Sequence, residues 1–270
     1  MIKHIGFIMD GNRRYSKKNN LSYAHGYKEG MLQFFKVLKW QVKRNIETTS
    51  FYALSLDNAQ KRGSEELETI KNIITQLLED PQFEEYCVEN KISLNLRGRY
   101  FKNNRINKEL LEEDEKKLNG IEKNYVNFQI KKNQHFNQNE LLETIEKKII
   151  KFEEKLPKKC NHFVNIALFY SGVDEIVTTT QEIAKKVENN ELRIQDIDEE
   201  LFRNTSYFSS TSPPEIIVRT GDAPRISGFM LFLSAYSEIY LTPKLWPELN
   251  EEDLNEIISW FKNQSRNFGK

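Results

Sequence analysis

The run Met9-Asp10-Gly11-Asn12-Arg13-Arg14-Tyr15 follows directly on the apolar stretch Ile5-Gly6-Phe7-Ile8. One carboxylate, a small-residue turn and two guanidiniums therefore stand together at the end of a strand. Gly11 has no Cβ, so the backbone can adopt a positive φ and turn its N–H groups toward an oxyanion. Arg13 and Arg14 pair with phosphate oxygens in a planar, bidentate way and keep their charge at any physiological pH. Asp10 alone would repel a diphosphate. Its presence makes chemical sense when a divalent cation with a taste for oxygen ligands, such as Mg2+, bridges the two. The alternative is a surface turn in which Asp10 pairs with Arg13 or Arg14.

A second cradle lies near the other end of the chain. Arg219-Thr220-Gly221-Asp222-Ala223-Pro224-Arg225-Ile226-Ser227-Gly228 supplies two arginines, hydroxyls and glycines just after a short β-type run. Downstream, Glu238 sits in S-A-Y-S-E-I-Y, a carboxylate among apolar and aromatic residues where an unpaired charge would be costly. It reads either as a second metal ligand complementing Asp10 or as the partner of a nearby arginine.

The elements that must position these groups follow from periodicity. Lys and Arg number 40 and Asp and Glu number 40, so the zero formal charge offers no general attraction for nucleic acid, and any anion site is local. Two widely separated cysteines, Cys87 and Cys160, fit neither a disulfide framework nor a zinc site. No signal-peptide pattern and no run of ~20 apolar residues is present, which predicts a cytoplasmic, soluble protein. Strands are expected at Ile5–Ile8, 47–55, 92–96, 162–169 and 215–218. Helices are expected at 30–44, from Ser64 as N-cap to Asn90, at 107–118, 139–155, 173–187 and 251–261. Such alternation predicts an α/β fold, an open and mostly parallel sheet flanked by helices, with ligands at the carboxyl ends of the strands. Asp10 and the pair Asp57-Asn58 each fall just after a strand. Residues 230–241, apolar throughout, are expected either inside the sheet or at a dimer interface. The chain is read as one domain with an insertion at about 120–160 that carries no functional signal.

Taken together, H-I-G-F-I-M-D-G-N-R-R-Y-S-K-K, I-V-R-T-G-D-A-P-R-I-S-G-F and L-T-P-K-L-W-P-E-L, in this order and over essentially the whole chain, resemble the cis-prenyltransferases, the undecaprenyl and dehydrodolichyl diphosphate synthases. The D-G-N-R-R form is more similar to eukaryotic members than to bacterial ones. The resemblance implies an apolar tunnel beside the sheet. It also implies a transferase that extends an allylic diphosphate, usually farnesyl diphosphate, with isopentenyl diphosphate units into a polyprenyl diphosphate for dolichol or another polyisoprenoid. By motif, Asp10 would assist diphosphate departure through Mg2+, with Glu238 reaching the metal, often from the neighbouring subunit's side. Asn58 would act with Asp10 as a catalytic residue. Gly11, Asn12, Arg13 and Arg14 would hold the allylic diphosphate, and Tyr15, Tyr27, Ser55, Asp57, Lys61 and Arg62 would be further substrate-binding residues. Arg219, Arg225 and Ser227 would hold the isopentenyl diphosphate. An amide is too weak a base to keep a proton, so Asn58 is assigned to positioning and a diphosphate oxygen to accepting the proton.

Departures from the family pattern are informative. Tyr23 and Tyr27 stand where relatives have an arginine and a histidine, and Ala59 replaces an aromatic. Lys61 or Arg62 fills the basic position that follows. Ala223, Gly228 and Leu233 replace polar residues, and the terminal arginine-x-glycine element becomes Arg266-Asn267-Phe268-Gly269. The active enzyme is the preferred reading, as a homodimer or as a heterodimer with a related subunit, with peripheral contact with the endoplasmic reticulum membrane. The alternative is a non-catalytic or partner-dependent subunit of a heteromeric enzyme. The apolar side of the helix from Ser64, with Leu67, Ile70, Ile74, Leu77 and Leu78, is either a tunnel wall or plain core.

Overall fold

Six strands form one all-parallel sheet in the order β3-β6-β2-β1-β7-β8. In this computed structural model, residues 2–102, 105–106, 112 and 138–264 are described. The sheet strands are β1 His4–Ile8, β2 Thr48–Ser55, β3 Ile92–Arg97, β6 His162–Tyr170, β7 Ile216–Thr220 and β8 Glu238–Thr242. A separate two-stranded ribbon pairs β4 Phe101–Lys102 with β5 Arg105–Ile106. The helices are α1 Asn12–Lys18, α2 Tyr23–Lys43, α3 Leu56–Lys61, α4 Ser64–Glu79, α5 Pro81–Glu89, α6 Gln138–Glu153, α7 Gly172–Glu188, α8 Glu199–Thr205 and α9 Glu251–Lys262. β1 to β2 runs outward one way, and β7 to β8 runs the other. The strand order therefore reverses between β1 and β7, the place where open parallel sheets leave a crevice for ligands.

Several boundaries differ from the periodicity reading, each for a local reason. The first long helix begins at Tyr23, capped by Ser22, whose hydroxyl accepts from His25 N–H at 3.2 Å. Gly26 looks like a break in the sequence but is a contact: a Cβ there would collide with Ser16 Oγ and Asn12 O, so its absence lets α1 lie against α2. The helix expected from Ser64 to Asn90 is two helices. Pro81 cannot donate to the preceding turn, and Asp80 caps the new helix by accepting from Gln82 N–H at 2.9 Å. Ser64 is not the cap; Gly63 holds that position without a side-chain bond. The helix expected at 107–118 lies outside the described residues apart from position 112, as does the element at 266–269. Within the 120–160 region, α6 packs on α4 and buries Leu141, Leu142, Ile145, Ile149 and Phe152.

The main core sits between the sheet and α2, α4, α6 and α9. Phe51 is fully buried at its centre, stacked on Phe7 at 5.3 Å and edge-on to Phe34 at 4.7 Å. A polar thread also crosses the sheet. His4 Nδ1 lies 2.6 Å from Ser212 O and its Nε2 2.8 Å from Ser50 Oγ. Ser50 Oγ accepts from Asn165 Nδ2 at 3.0 Å, and Asn165 Oδ1 accepts from Arg97 Nε at 3.2 Å. Among the described residues no helix is long and apolar enough to cross a membrane.

Two measurements follow. Phe51→Ala removes a ring from a close-packed site and is expected to lower the unfolding free energy by about 3–5 kcal/mol in urea titrations. Burial pushes the His4 imidazole down to about 4. The unfolded chain therefore takes up a proton that the native chain refuses, and stability present above pH ~6.5 is lost as the pH falls to ~4, by about 3 kcal/mol. Urea midpoints at pH 7.5 and 4.5 should show this fall in the wild type and less of it in His4→Gln; equal falls in both would remove His4 as the source.

Candidate active site

The carboxyl ends of β1, β2, β6 and β7 converge on a cleft of about 750 Å³, and parallel register is the reason. Ile8 is level with Tyr52 on one side and with Arg219 on the other, and Ser55 is level with Tyr170. Groups far apart in the sequence, Asp10 and Arg219 by 209 positions, meet there. Arg219 Nη2 donates to Asp10 Oδ2 at 2.7 Å, and Arg14 Nη2 lies 3.1 Å from Asp10 Oδ1. The expected pairing of Asp10 with a neighbouring arginine thus occurs with Arg14, and a second, buried arginine joins it. Arg14 Nη1 also donates to Gly221 O at 2.8 Å, tying the first motif to the loop of the second.

Asp10 is held through its backbone as well. Its carbonyl accepts from Thr220 Oγ1 at 2.6 Å and from Trp246 N–H at 3.0 Å, and Trp246 Nε1 donates to Gly30 O at 2.8 Å. The L-T-P-K-L-W-P-E-L segment is therefore a buttress under the first loop. Gly11 takes φ +117°, as its turn requires, and a Cβ there would stand 2.9 Å from Leu245 Cβ.

Arg219, with only 5% of its side chain exposed, organises the second cradle. Its Nη1 donates to Ser227 Oγ and to Arg225 O, both at 2.7 Å. Arg225 and Ser227 are exposed and line the cleft, together with Asn12 and Arg13 from the first motif. On the β2 side, Ser55 caps α3 by accepting from Asn58 N–H at 3.1 Å, and Asp57 pairs with Lys61 at 3.4 Å. These four residues and Arg62 also border the cleft.

The two tyrosines read from the resemblance as departures from the family pattern keep charged company. Tyr23 lies under the Arg13 guanidinium, 5.2 Å from ring centroid to Cζ, and its hydrogen bond together with the charge of Glu66 pushes Arg13 upward. Tyr27 donates to Glu66 Oε1, which also pairs with Arg62 Nε at 3.3 Å. Burial, ahead of the pull of Arg62, holds the Tyr27 phenol well above its ordinary range.

Not all of the expected site residues meet within one chain. Glu238 does not meet Asp10 within one chain. It opens β8 in register with Ile216, whereas Asp10 follows Ile8, which is level with Arg219. In a parallel sheet these are opposite ends, roughly 10 Å or more apart along the strands. Nor is residue 238 deeply buried: Met230 and Leu233 are, but β8 is an edge strand whose burial alternates. The apolar composition of 230–241 therefore hides two environments. Tyr15 lies on α1 and, like Gly11 and Arg14, is not among the residues lining the cleft.

Ile8, Met9 and Gly228 of the two motifs also line the cleft, and outside the motifs four cleft residues were missed: Tyr52, Ala53, Ser171 and Val173. All stand at or just past the ends of β2 and β6, so the strand-end rule that located Asp10 would have found them. Glu66 had no local signal. Beyond Asn12, Tyr27, Met9 and Ala53 the cleft adjoins an apolar cavity of about 100 Å³, lined by residues that include Met31, Phe34, Ile70, Ile74, Leu77 and Ile149. Leu78 borders it too, and Leu67 is ordinary core.

Among the described residues no cluster of three or more His, Cys, Asp or Glu could hold a metal by itself. Asp10 nonetheless suits a shared magnesium. Its side chain is one-third exposed, it borders the cleft, and a carboxylate bonded to one arginine at each oxygen keeps lone pairs to spare. Mg2+ commonly takes one or two carboxylates and completes its octahedron with substrate phosphates and water.

Comparison with known proteins bears on the family and the fold. A family model described as "Putative undecaprenyl diphosphate synthase" matches residues 8–134 and 109–269. The chain is 31% identical over 268 residues to the tritrans,polycis-undecaprenyl-diphosphate synthase (geranylgeranyl-diphosphate specific) of Thermococcus kodakarensis, covering 99% of this chain and 87% of that one. It is 30% identical over 273 residues to the protein of the same description from Pyrococcus horikoshii, with the same coverage. Lavandulyl diphosphate synthase from Lavandula x intermedia, solved with dimethylallyl diphosphate, shares the fold with a TM-score of 0.80 at 22% identity, over 100% of this chain and 98% of that one. A probable undecaprenyl diphosphate synthase from Campylobacter jejuni does so with a TM-score of 0.67 at 24% identity, over 100% and 99%. With the motifs on adjacent parallel strands and the match running the length of the chain, this protein belongs to the undecaprenyl diphosphate synthase family of cis-prenyltransferases.

Proposed function

We propose that the protein lengthens geranylgeranyl diphosphate with successive isopentenyl diphosphate units, each added with a cis double bond, to a polyprenyl diphosphate. The observation that supports this best is the meeting of two arginine-bearing loops around Asp10 in a cleft that adjoins an apolar cavity. A charged head and a greasy tail need such a pair of compartments. The archaeal relatives are named for geranylgeranyl diphosphate, which favours it over farnesyl diphosphate as the primer.

In this reading Asn12, Arg13 and Arg14 hold the allylic diphosphate, and Arg219, Arg225 and Ser227 hold the isopentenyl diphosphate. The C–O bond of the allylic diphosphate breaks and diphosphate leaves, the terminal =CH2 carbon of isopentenyl diphosphate bonds to the freed allylic carbon, and the positive charge left on the methyl-bearing carbon is discharged when one proton leaves the CH2 on its other side, forming the new double bond. Negative charge grows on the departing diphosphate. Guanidiniums already fixed in place stabilise it more in the transition state than before it, without reorganisation. Asn58, at the first turn of α3, orients the reacting chain, and a diphosphate oxygen takes the proton. Mg2+ bound to Asp10 and to diphosphate oxygens would supply further neutralisation of the leaving group. Asp10 has a second task, keeping Arg219 aimed.

Ile70, Ile74 and Leu77 of α4 form the wall along which the product extends. The exposed edge of β8, with Tyr236 91%, Ile239 47% and Leu241 41% exposed, serves as the face for a second subunit. The family resemblance gives Glu238 a role from the neighbouring subunit's side, which fits its distance from Asp10 within one chain.

Purified protein incubated with Mg2+, labelled isopentenyl diphosphate and either primer is expected to yield extractable polyprenyl diphosphate, faster with geranylgeranyl than with farnesyl diphosphate, and EDTA should stop it. No product, alone or with a related subunit, would overturn the assignment. Asp10→Ala should lower kcat at least ~100-fold, the scale of losing one fixed electrostatic stabiliser. Unchanged turnover would take Asp10 out of the chemistry.

A further inference from the structure

The loop that presents Arg225 and Ser227 keeps a backbone shape that needs outside support. Ser227, Gly228 and Met230 have φ of +50°, +77° and +50°, and two of the three carry a Cβ. Such conformations persist where the surroundings over-determine them. Here the supports are countable. Arg219 bonds to Ser227 Oγ and Arg225 O, Tyr52 Oη shares its one proton between Tyr170 O at 3.2 Å and Ser227 O at 3.4 Å, and Gly172 N–H donates to Gly228 O at 2.9 Å. The fourth comes from Tyr170, at the end of β6, whose hydroxyl oxygen accepts from Met230 N–H at 3.0 Å.

A phenol has one proton and can either donate it or merely accept, so its partners must be told apart. Tyr170 donates to Glu175 Oε2 at 2.6 Å. Glu175 is 2% exposed on the first turn of α7, and its other oxygen accepts from Phe208 N–H at 3.2 Å. With its proton committed to this carboxylate, the Tyr170 oxygen is left as an acceptor facing Met230. The ring is also wedged among Tyr52, Phe208 and Phe229 at 5.6, 5.3 and 6.2 Å, and Phe229 belongs to the same loop.

We infer that Tyr170, oriented by Glu175, is a positioning residue for the second diphosphate cradle: it pins Met230 and so keeps Ser227 and Arg225 turned toward the cleft. The inference rests on the reading of that cradle as the isopentenyl diphosphate site. Tyr170 touches neither substrate nor reacting atoms; its effect passes through the loop.

The test is Tyr170→Phe in the full chain, which keeps the ring and removes the hydroxyl. The expected result is a rise of about tenfold in KM for isopentenyl diphosphate, the factor that corresponds to 1.4 kcal/mol. KM for the allylic substrate and kcat should stay within about twofold, and the Met230 amide should exchange with deuterium faster than in the wild type. Glu175→Gln, which leaves one of the two donors facing an amide NH2 group, should move the same KM in the same direction. The double variant should be no worse than Tyr170→Phe, because both act through one contact. An unchanged KM for isopentenyl diphosphate, an equal loss on both substrates, or additive effects in the double variant would overturn the inference while leaving the enzyme assignment standing. No turnover by the wild type would sink the assignment and the inference with it.

Discussion

The bond between Arg219 and Asp10 couples two parts of the chain that have no sequence relationship. A guanidinium this buried is unfavourable without a counter-charge, and a carboxylate in an anion site is unfavourable without a cation. Each solves the other's problem at 2.7 Å. The geometry is possible because β1 and β7 are adjacent and parallel, so that the residues leaving both strands emerge at the same edge. Once Arg219 is fixed, its second terminal nitrogen orders Arg225 and Ser227, and Asp10 in turn orients Arg14 toward Gly221. The site is therefore a set of cations positioned by one another's acceptors rather than a row of independent charges.

The division between polar cleft and apolar cavity has an equally simple origin. Met9, Asn12, Tyr27 and Ala53 border both spaces. On one side stand strand ends and caps, where backbone turns gather polar groups. On the other stand the inward sides of α2 and α4, whose helical spacing repeats apolar residues every three or four positions. Glu66 and Ile70, one turn apart on α4, show the change from charged cluster to apolar wall along a single helix.

Much of this was legible in the sequence wherever a local pattern has one physical solution. The strands at the starts of both motifs, the amphipathic helices and the arginine-rich loops follow from spacing and residue type. What failed had a local cause at one helix boundary and depended on distance elsewhere. Pro81 splits a helix whose apolar periodicity continues across it, and Gly26 strengthens a helix contact while lowering helix propensity. Tyr52, Ser171 and Val173 carry no motif and acquire a place in the cleft because β2 and β6 end at the same edge of the sheet as β1. Glu238 looked buried among apolar neighbours, yet composition does not separate an edge strand from a central one.

From its sequence alone, this chain declared its class of chemistry: Asp10, Arg13, Arg14, Arg219, Arg225 and Ser227 are types suited to anions, and residue type survives any arrangement. Tertiary structure decided which of them act together. Parallel register brought Asp10 to Arg219 and kept Glu238 at the far end, since a displacement of three residues along a strand exceeds the reach of any hydrogen bond. It also turned Tyr170 into an acceptor for the second loop, a role set by where its proton goes and invisible until Glu175 is seen beside it.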